Sequence, residues 1–150
     1  MRTSRLLSVA SVAAMIIGTA CGDGGPSAAP TNTGQSCMNA EQCFAGVEAG
    51  AIVGTAICLD KVPGGYCTHS CTADADCCAV PGECPRGSPE VCAPFESTGQ
   101  MDCFLSCEDS DLKRVGYTDG SAYCAYFASS EFICRSTGGG ADNRKVCVPN

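Results

Sequence analysis

Sulfur is where this chain concentrates its chemistry. Fourteen cysteines (Cys37, Cys43, Cys58, Cys67, Cys71, Cys77, Cys78, Cys84, Cys92, Cys103, Cys107, Cys124, Cys134 and Cys147) fall within the last 114 of 150 residues. A fifteenth, Cys21, stands apart at the end of an apolar N-terminal segment. Cysteine at such density pairs, holds a metal or attacks a substrate. An even set of fourteen suits pairing. Structural zinc sites favour closely spaced cysteine pairs, often backed by histidine. Here no C-x-x-C occurs, Cys67/Cys71 and Cys103/Cys107 are separated by three residues, and His69 is the single histidine. The sequence therefore predicts seven disulfides, no metal and no cofactor, with His69 at a turn or on the surface rather than serving as ligand or base. The neighbours Cys77 and Cys78 are expected in two separate structural bridges that pin one turn, rather than in a vicinal redox bridge.

Other chemistry has little to work with. One histidine leaves no choice of catalytic base, and no G-x-S-x-G or comparable nucleophile motif accompanies it. Gly138-Gly139-Gly140 lacks the Lys-Ser/Thr ending of a phosphate loop and reads as a turn. Asp74, Asp76, Glu108, Asp109 and Asp111 offer oxygens to calcium, but neither cluster has the twelve-residue EF-hand pattern. Short D-x-D runs solvate or cap turns, and that is the reading adopted. No catalytic residue is assigned. An enzyme would have to work with carboxylates alone, as a glycosidase pair does.

What must hold these residues in place is a scaffold with little apolar bulk. Tryptophan is absent, aromatics make up 6% of the chain, and there are 18 glycines. Cysteine in the region from 37 onward exceeds the roughly 8–10% that marks a disulfide scaffold, so cross-links must supply much of the stability. The expected fold is small, disulfide-rich, and dominated by β-hairpins and loops with little helix. One hairpin should form where 55–60 and 66–68 flank Val62-Pro63-Gly64-Gly65, a type II turn sequence. Another should pair 132–135 with 145–148 around the polar loop 138–143, with 122–127 as a third strand and Cys134 joined to Cys147 across the sheet. Helical turns should begin after Ser36 and Ser106 as N-caps. Residues 79–102, with four prolines, should be irregular. Seven bridges among fourteen cysteines allow on the order of 10⁵ connectivities, so spacing leaves the full pattern open.

The N-terminus reads as an address. Arg2 and Arg5 precede an apolar run from Leu6 to Ile17 and a small-residue site, Gly18-Thr19-Ala20, which together make a cleavable export signal over residues 1–20. The run is too short to span a bilayer comfortably. Gly18-Thr19-Ala20-Cys21 resembles the lipobox of bacterial lipoproteins, which implies a diacylated thiol at Cys21 and a new, acylated amino terminus. Gly18 stands where that family usually carries an aliphatic residue, and the same tripeptide would serve ordinary secretion. Residues 22–36 (GDGGPSAAPTNTGQS) follow as a flexible tether. The mature chain keeps seven basic against sixteen acidic residues, near −9, a surface that should repel nucleic acid and anionic headgroups.

Spacing also suggests repetition. Cys67-Thr-His-Ser-Cys71 leads through Asp74 and Asp76 to Cys92-Ala-Pro94, while Cys103-Phe-Leu-Ser-Cys107 leads through Asp109 and Asp111 to Cys147-Val-Pro149. The reading is two to three modules, about 37–66, 67–94 and 103–150. The run Gly64-Gly65-Tyr66-Cys67-Thr-His-Ser-Cys71-Thr-Ala-Asp74-Ala-Asp76-Cys77 resembles repeats of cysteine-rich predicted lipoproteins and secreted proteins of Gram-negative bacteria, whose C-x-x-D-x-D-C element is similar to small Dickkopf-like modules. The resemblance implies a disulfide-bonded, extracytoplasmic protein. The expected role is non-enzymatic binding or envelope structure, with a lipid anchor in the membrane (the outer membrane being the expected one) and an extracellular protein or glycan as partner. The alternative is a secreted protease inhibitor or toxin-like effector.

Overall fold

The computed structural model describes residues 32–84, 87–95, 99–138 and 143–150. The export signal, Cys21 and most of the tether lie outside them. Three antiparallel hairpins follow one another along the chain: β1 (Ala56–Cys58) with β2 (Cys67–His69), β3 (Glu90–Pro94) with β4 (Met101–Leu105), and β5 (Phe132–Ser136) with β6 (Lys145–Pro149). Two helices, α1 (Asp109–Arg114) and α2 (Gly120–Phe127), lie between the second and third hairpins. The fold is small, disulfide-rich and dominated by strands and loops.

Seven disulfides link the fourteen cysteines, and six of them obey one rule. Cys37–Cys58 and Cys43–Cys67 tie two upstream cysteines to the two strands of the first hairpin. Cys71–Cys92 and Cys77–Cys103 do the same for the second, and Cys107–Cys134 and Cys124–Cys147 for the third. In each hairpin the two strand cysteines sit opposite each other (Cys58 and Cys67, Cys92 and Cys103, Cys134 and Cys147), yet each bonds away from its neighbour. The expected Cys134–Cys147 link is therefore corrected: the pair shares a register position, and its sulfurs go to Cys107 and Cys124. The bridges group the chain as 37–67, 71–103 and 107–147, which does not coincide with the divisions drawn from sequence. Each C-x3-C run is a joint between groups rather than the opening of one.

The joints repeat in their hydrogen bonds. Ser70 bridges to Asp102 and Ser106 to Val146, in both cases three residues past the last cysteine of one group and one before the last cysteine of the next. Ser70 N–H donates to the Thr55 carbonyl and Ser106 N–H to the Pro89 carbonyl. Cys71 N–H reaches the Met101 carbonyl and Cys107 N–H the Lys145 carbonyl. Each hairpin thus hands its second strand to the next, and backbone groups that would otherwise be orphaned are paired.

Local chemistry accounts for several of the elements. Gly65 N–H closes the Val62 turn at 2.8 Å, and Gly64 takes φ 80° at the position where a type II turn needs it. Gly65 is also fixed: its φ is 72°, and a Cβ there would fall 2.0 Å from the Cys37 carbonyl oxygen. Helix α2 replaces the strand expected over 122–127. Asp119 caps it, accepting from Ser121 N–H at 2.9 Å and Ala122 N–H at 3.2 Å, and its 3.6-residue period buries Tyr123 and Cys124 while Ala122 and Ala125 face water. The helical turns lie two or more residues beyond the expected starts, at Ala40–Gln42 and at α1, whose flanking residue is Glu108. Residues 79–102 are not irregular throughout, because the β3–β4 hairpin occupies their second half; Pro89 precedes β3 and Pro94 ends it, so neither interrupts the ladder.

The core lies where the hairpins meet. Tyr66, Phe104 and Phe132 contribute one ring per hairpin, with Tyr66 stacked on Phe132 at 5.7 Å and tilted against Phe104 at 5.5 Å. Tyr66 is fully enclosed and its oxygen accepts from Leu105 N–H. Two smaller clusters are built largely of half-cystines, around Phe44 and around Cys77. The end of the expected tether belongs to this body: Asn32, Thr33 and Gly34 are buried, Gly34 N–H donates to the Cys67 carbonyl, and Cys67 N–H returns to the Gln35 carbonyl.

Candidate functional site

His69 does not lie on the surface. It sits in β2, fully buried, with Nδ1 donating to the Val53 carbonyl at 2.8 Å and Nε2 2.6 Å from Glu83 Oε1. A carbonyl only accepts, so Nδ1 carries a proton and Nε2 faces the carboxylate. Glu83 is equally enclosed, and Asn32 Nδ2 fixes its loop by donating to the Gly82 and Glu83 carbonyls. Both side chains are closed off from solvent, and the pair ties the loop after Cys78 to the first hairpin. The position between Cys67 and Cys71 suggested a turn because short-range spacing carries no information about a carboxylate fourteen residues away.

The acidic runs are consumed by the backbone and by cations. Asp76 Oδ2 accepts from Thr72 N–H, Thr72 Oγ and Ala73 N–H, which hold its carboxyl below the usual range. Asp74 accepts from Cys92 N–H and pairs with Arg144 at 3.0 Å. Lys145 Nζ reaches Asp109 at 3.0 Å, with its hydrogen bond and charge lowering that carboxyl too, while Lys145 N–H donates to Glu108. Asp111 accepts from Ser106 Oγ and pairs with Arg114. Of these contacts, the Asp74–Arg144 pair joins the second group to the third. Sulfurs also gather into compact sets, such as Cys37, Cys43 and Cys67, or Cys107, Cys124 and Cys147. Every one is already in a disulfide and has no thiolate to give.

An open groove of about 290 Å³ runs where the three hairpins converge. The first contributes Lys61, Val62 and Pro63 from its turn, the second Pro94, Phe95 and Phe104, and the third Arg135, Val146, Val148 and Pro149. Valine, proline and phenylalanine form an apolar floor, and Lys61 and Arg135 are exposed on the rim. A second hollow shares Lys61 and Phe95 and continues towards Asp102. In a chain of net charge −7, Lys61 and Arg135 make the edge of this apolar groove locally basic.

No family model, curated protein or solved structure matches this chain.

The groove therefore stands on its geometry. Reading along the sequence could not assemble it, because its walls come from three distant segments. One signal was present: the two C-x-P endings, Cys92-Ala-Pro94 and Cys147-Val-Pro149, each place a proline on its lining. Cys21 lies outside the described residues, and no helix among them is long and apolar enough to cross a membrane. Seven disulfides mark an oxidising, extracytoplasmic environment.

Proposed function

We propose that this chain is a non-enzymatic binding protein of the cell envelope, exported by residues 1–20, anchored through acylated Cys21, and related to the cysteine-rich lipoproteins its 64–77 run resembles. The groove of the three hairpins is its binding surface, and its occupant is an extended segment of an extracellular protein carrying acidic and apolar side chains. The observation that supports this is the juxtaposition of Lys61 and Arg135 with a Val/Pro/Phe floor on an otherwise acidic chain. A floor without tryptophan and rich in branched aliphatic groups suits peptide side chains better than sugar rings. The full enclosure of His69 is consistent with a protein that binds rather than converts.

Two measurements test it. The intact mass of the mature chain, extracted from envelopes, should show acyl chains on Cys21 and fourteen thiols that appear only on reduction. Fluorescence polarisation with labelled acidic–apolar decapeptides should show binding that Lys61→Glu or Arg135→Glu weakens by at least about tenfold, since like-charge contacts cost several kcal/mol. A freely released, unacylated protein would overturn the anchor. Equal binding of neutral peptides, or indifference to both reversals, would overturn the groove.

A further inference from the structure

One bridge stands outside the repeating rule, and its surroundings differ from those of the other six. Cys78–Cys84 spans a sequence separation of 6, against 21 to 27 elsewhere. Cys78 is the one exposed cysteine of the fourteen, and Cys84 is half-buried. Cys78 also holds a left-handed backbone, φ 73°, a conformation that side chains other than glycine rarely adopt. Both residues line an open cleft of about 430 Å³, together with Val80, Gly82, Ser88 and Glu90.

Glu90 is the unusual member. It opens β3, is only 8% exposed, and one of its carboxyl oxygens forms with the two sulfurs a set in which all members lie within 4.8 Å of one another. Among the described residues neither oxygen has a well-aligned hydrogen-bond partner, although the Thr33 hydroxyl is near enough to favour the charged form. Burial outweighs that hydroxyl and pushes the carboxyl up to about 8, so it carries its proton at neutral pH. A bridge that only staples needs no buried acid beside it. A bridge that opens by exchange gains from one, because the departing sulfur must be protonated or stabilised.

We propose that Cys78–Cys84 is a thiol-exchanging disulfide, opened by an external dithiol that attacks Cys78, with Glu90 as proton donor to the departing Cys84 sulfur. This is independent of the groove and its ligand. The first thiol of the dithiol loses its proton to water, and its sulfur bonds to Cys78 Sγ. The Cys78–Cys84 bond breaks, its electron pair leaves on Cys84, and that sulfur takes the proton of Glu90, directly or through one bridging water. The second thiol gives its proton to the Glu90 carboxylate and attacks the mixed disulfide at its own partner sulfur. Cys78 leaves and is protonated from water. The dithiol ends as a disulfide, two electrons and two protons poorer, and the protein holds two thiols. Exposure directs attack to Cys78, and the cleft admits the incoming chain.

The experiment uses the oxidised native protein. It is exposed to graded dithiothreitol, quenched with N-ethylmaleimide and mapped by peptide mass. Cys78 and Cys84 should be alkylated at least about 50-fold faster than any other pair. Glu90→Gln should slow that opening at least about tenfold at pH 7 and leave the other six bridges unchanged. Should that variant not fold, the rate per thiolate in the unmodified protein carries the same information. Among the described residues, the titratable or charged groups facing Glu90 are Glu83, Tyr66 and Tyr123, with Arg114 on the cleft wall. The rate per thiolate should fall above about pH 8 as Glu90 loses its proton. Opening of any repeating bridge as early as Cys78–Cys84 would overturn the exchange site. A wild-type rate in Glu90→Gln, or a flat rate per thiolate, would overturn the role of Glu90.

Discussion

Glu90 gives the folded protein a pH dependence of defined sign. Its carboxyl titrates at about 8 in the fold, above the ordinary 4.5, so the folded state binds a proton that the unfolded chain releases. That contribution is complete below about pH 4.5 and is lost as pH rises through 8, at about 1.4 kcal/mol per unit. Urea unfolding with disulfides intact should therefore show a midpoint that falls from pH 5 to pH 8, and Glu90→Gln should flatten the fall. The His69–Glu83 contact makes a second residue-scale prediction. Glu83→Ala leaves His69 Nε2 enclosed without its partner, which should cost about 3–5 kcal/mol by the same unfolding measurement, since orphaning half of a buried pair is far costlier than losing a surface one. Neither feature was legible in the sequence. Glu83 and Glu90 look like ordinary surface acids in a proline-rich stretch, and their burial depends on distant segments, with Asn32 holding the Glu83 loop and Thr33 lying beside Glu90.

Turn chemistry was the readable layer among the elements. Val62-Pro63-Gly64-Gly65 announced its hairpin because proline and glycine at those turn positions leave few alternatives, and Lys145–Pro149 paired with Phe132–Ser136 as expected for segments flanking a polar loop. Gly65→Ala should be damaging twice over: the positive φ alone costs about 1–3 kcal/mol, and the new Cβ meets a backbone oxygen that cannot give way. The expected result is loss of soluble, correctly bridged protein in a non-reducing gel. Helix α2 was misread because Tyr, Cys, Tyr and Phe over 123–127 have the aromatic character of a strand, and the decisive residue, Asp119, lies outside that window. Asp119→Ala should lower stability by about 1 kcal/mol through its two lost cap bonds, seen as a small shift in thermal midpoint. The second hairpin was hidden by prolines that in fact frame its strands.

Across the whole molecule, cross-links and a shared core divide the work of holding one shape. Cysteine count and compartment could be inferred from parity and density, whereas the phase of the pattern could not: C-x3-C catches the eye as a motif because its two cysteines are close, yet they belong to successive groups. In the chain-entropy account a bridge is worth more the longer the loop it closes. Replacing Cys124 and Cys147 by serine should therefore cost about 3–4 kcal/mol, and replacing Cys78 and Cys84 about 2 kcal/mol, with the difference read from urea midpoints. Peptide mapping of the unreduced native protein puts the architecture to its most direct test. It should recover Cys37–Cys58, Cys43–Cys67, Cys71–Cys92, Cys77–Cys103, Cys107–Cys134 and Cys124–Cys147, with no thiol free among them. Recovery of bonds between the facing strand cysteines, Cys58–Cys67, Cys92–Cys103 or Cys134–Cys147, or of a compact protein with these thiols unpaired, would contradict it.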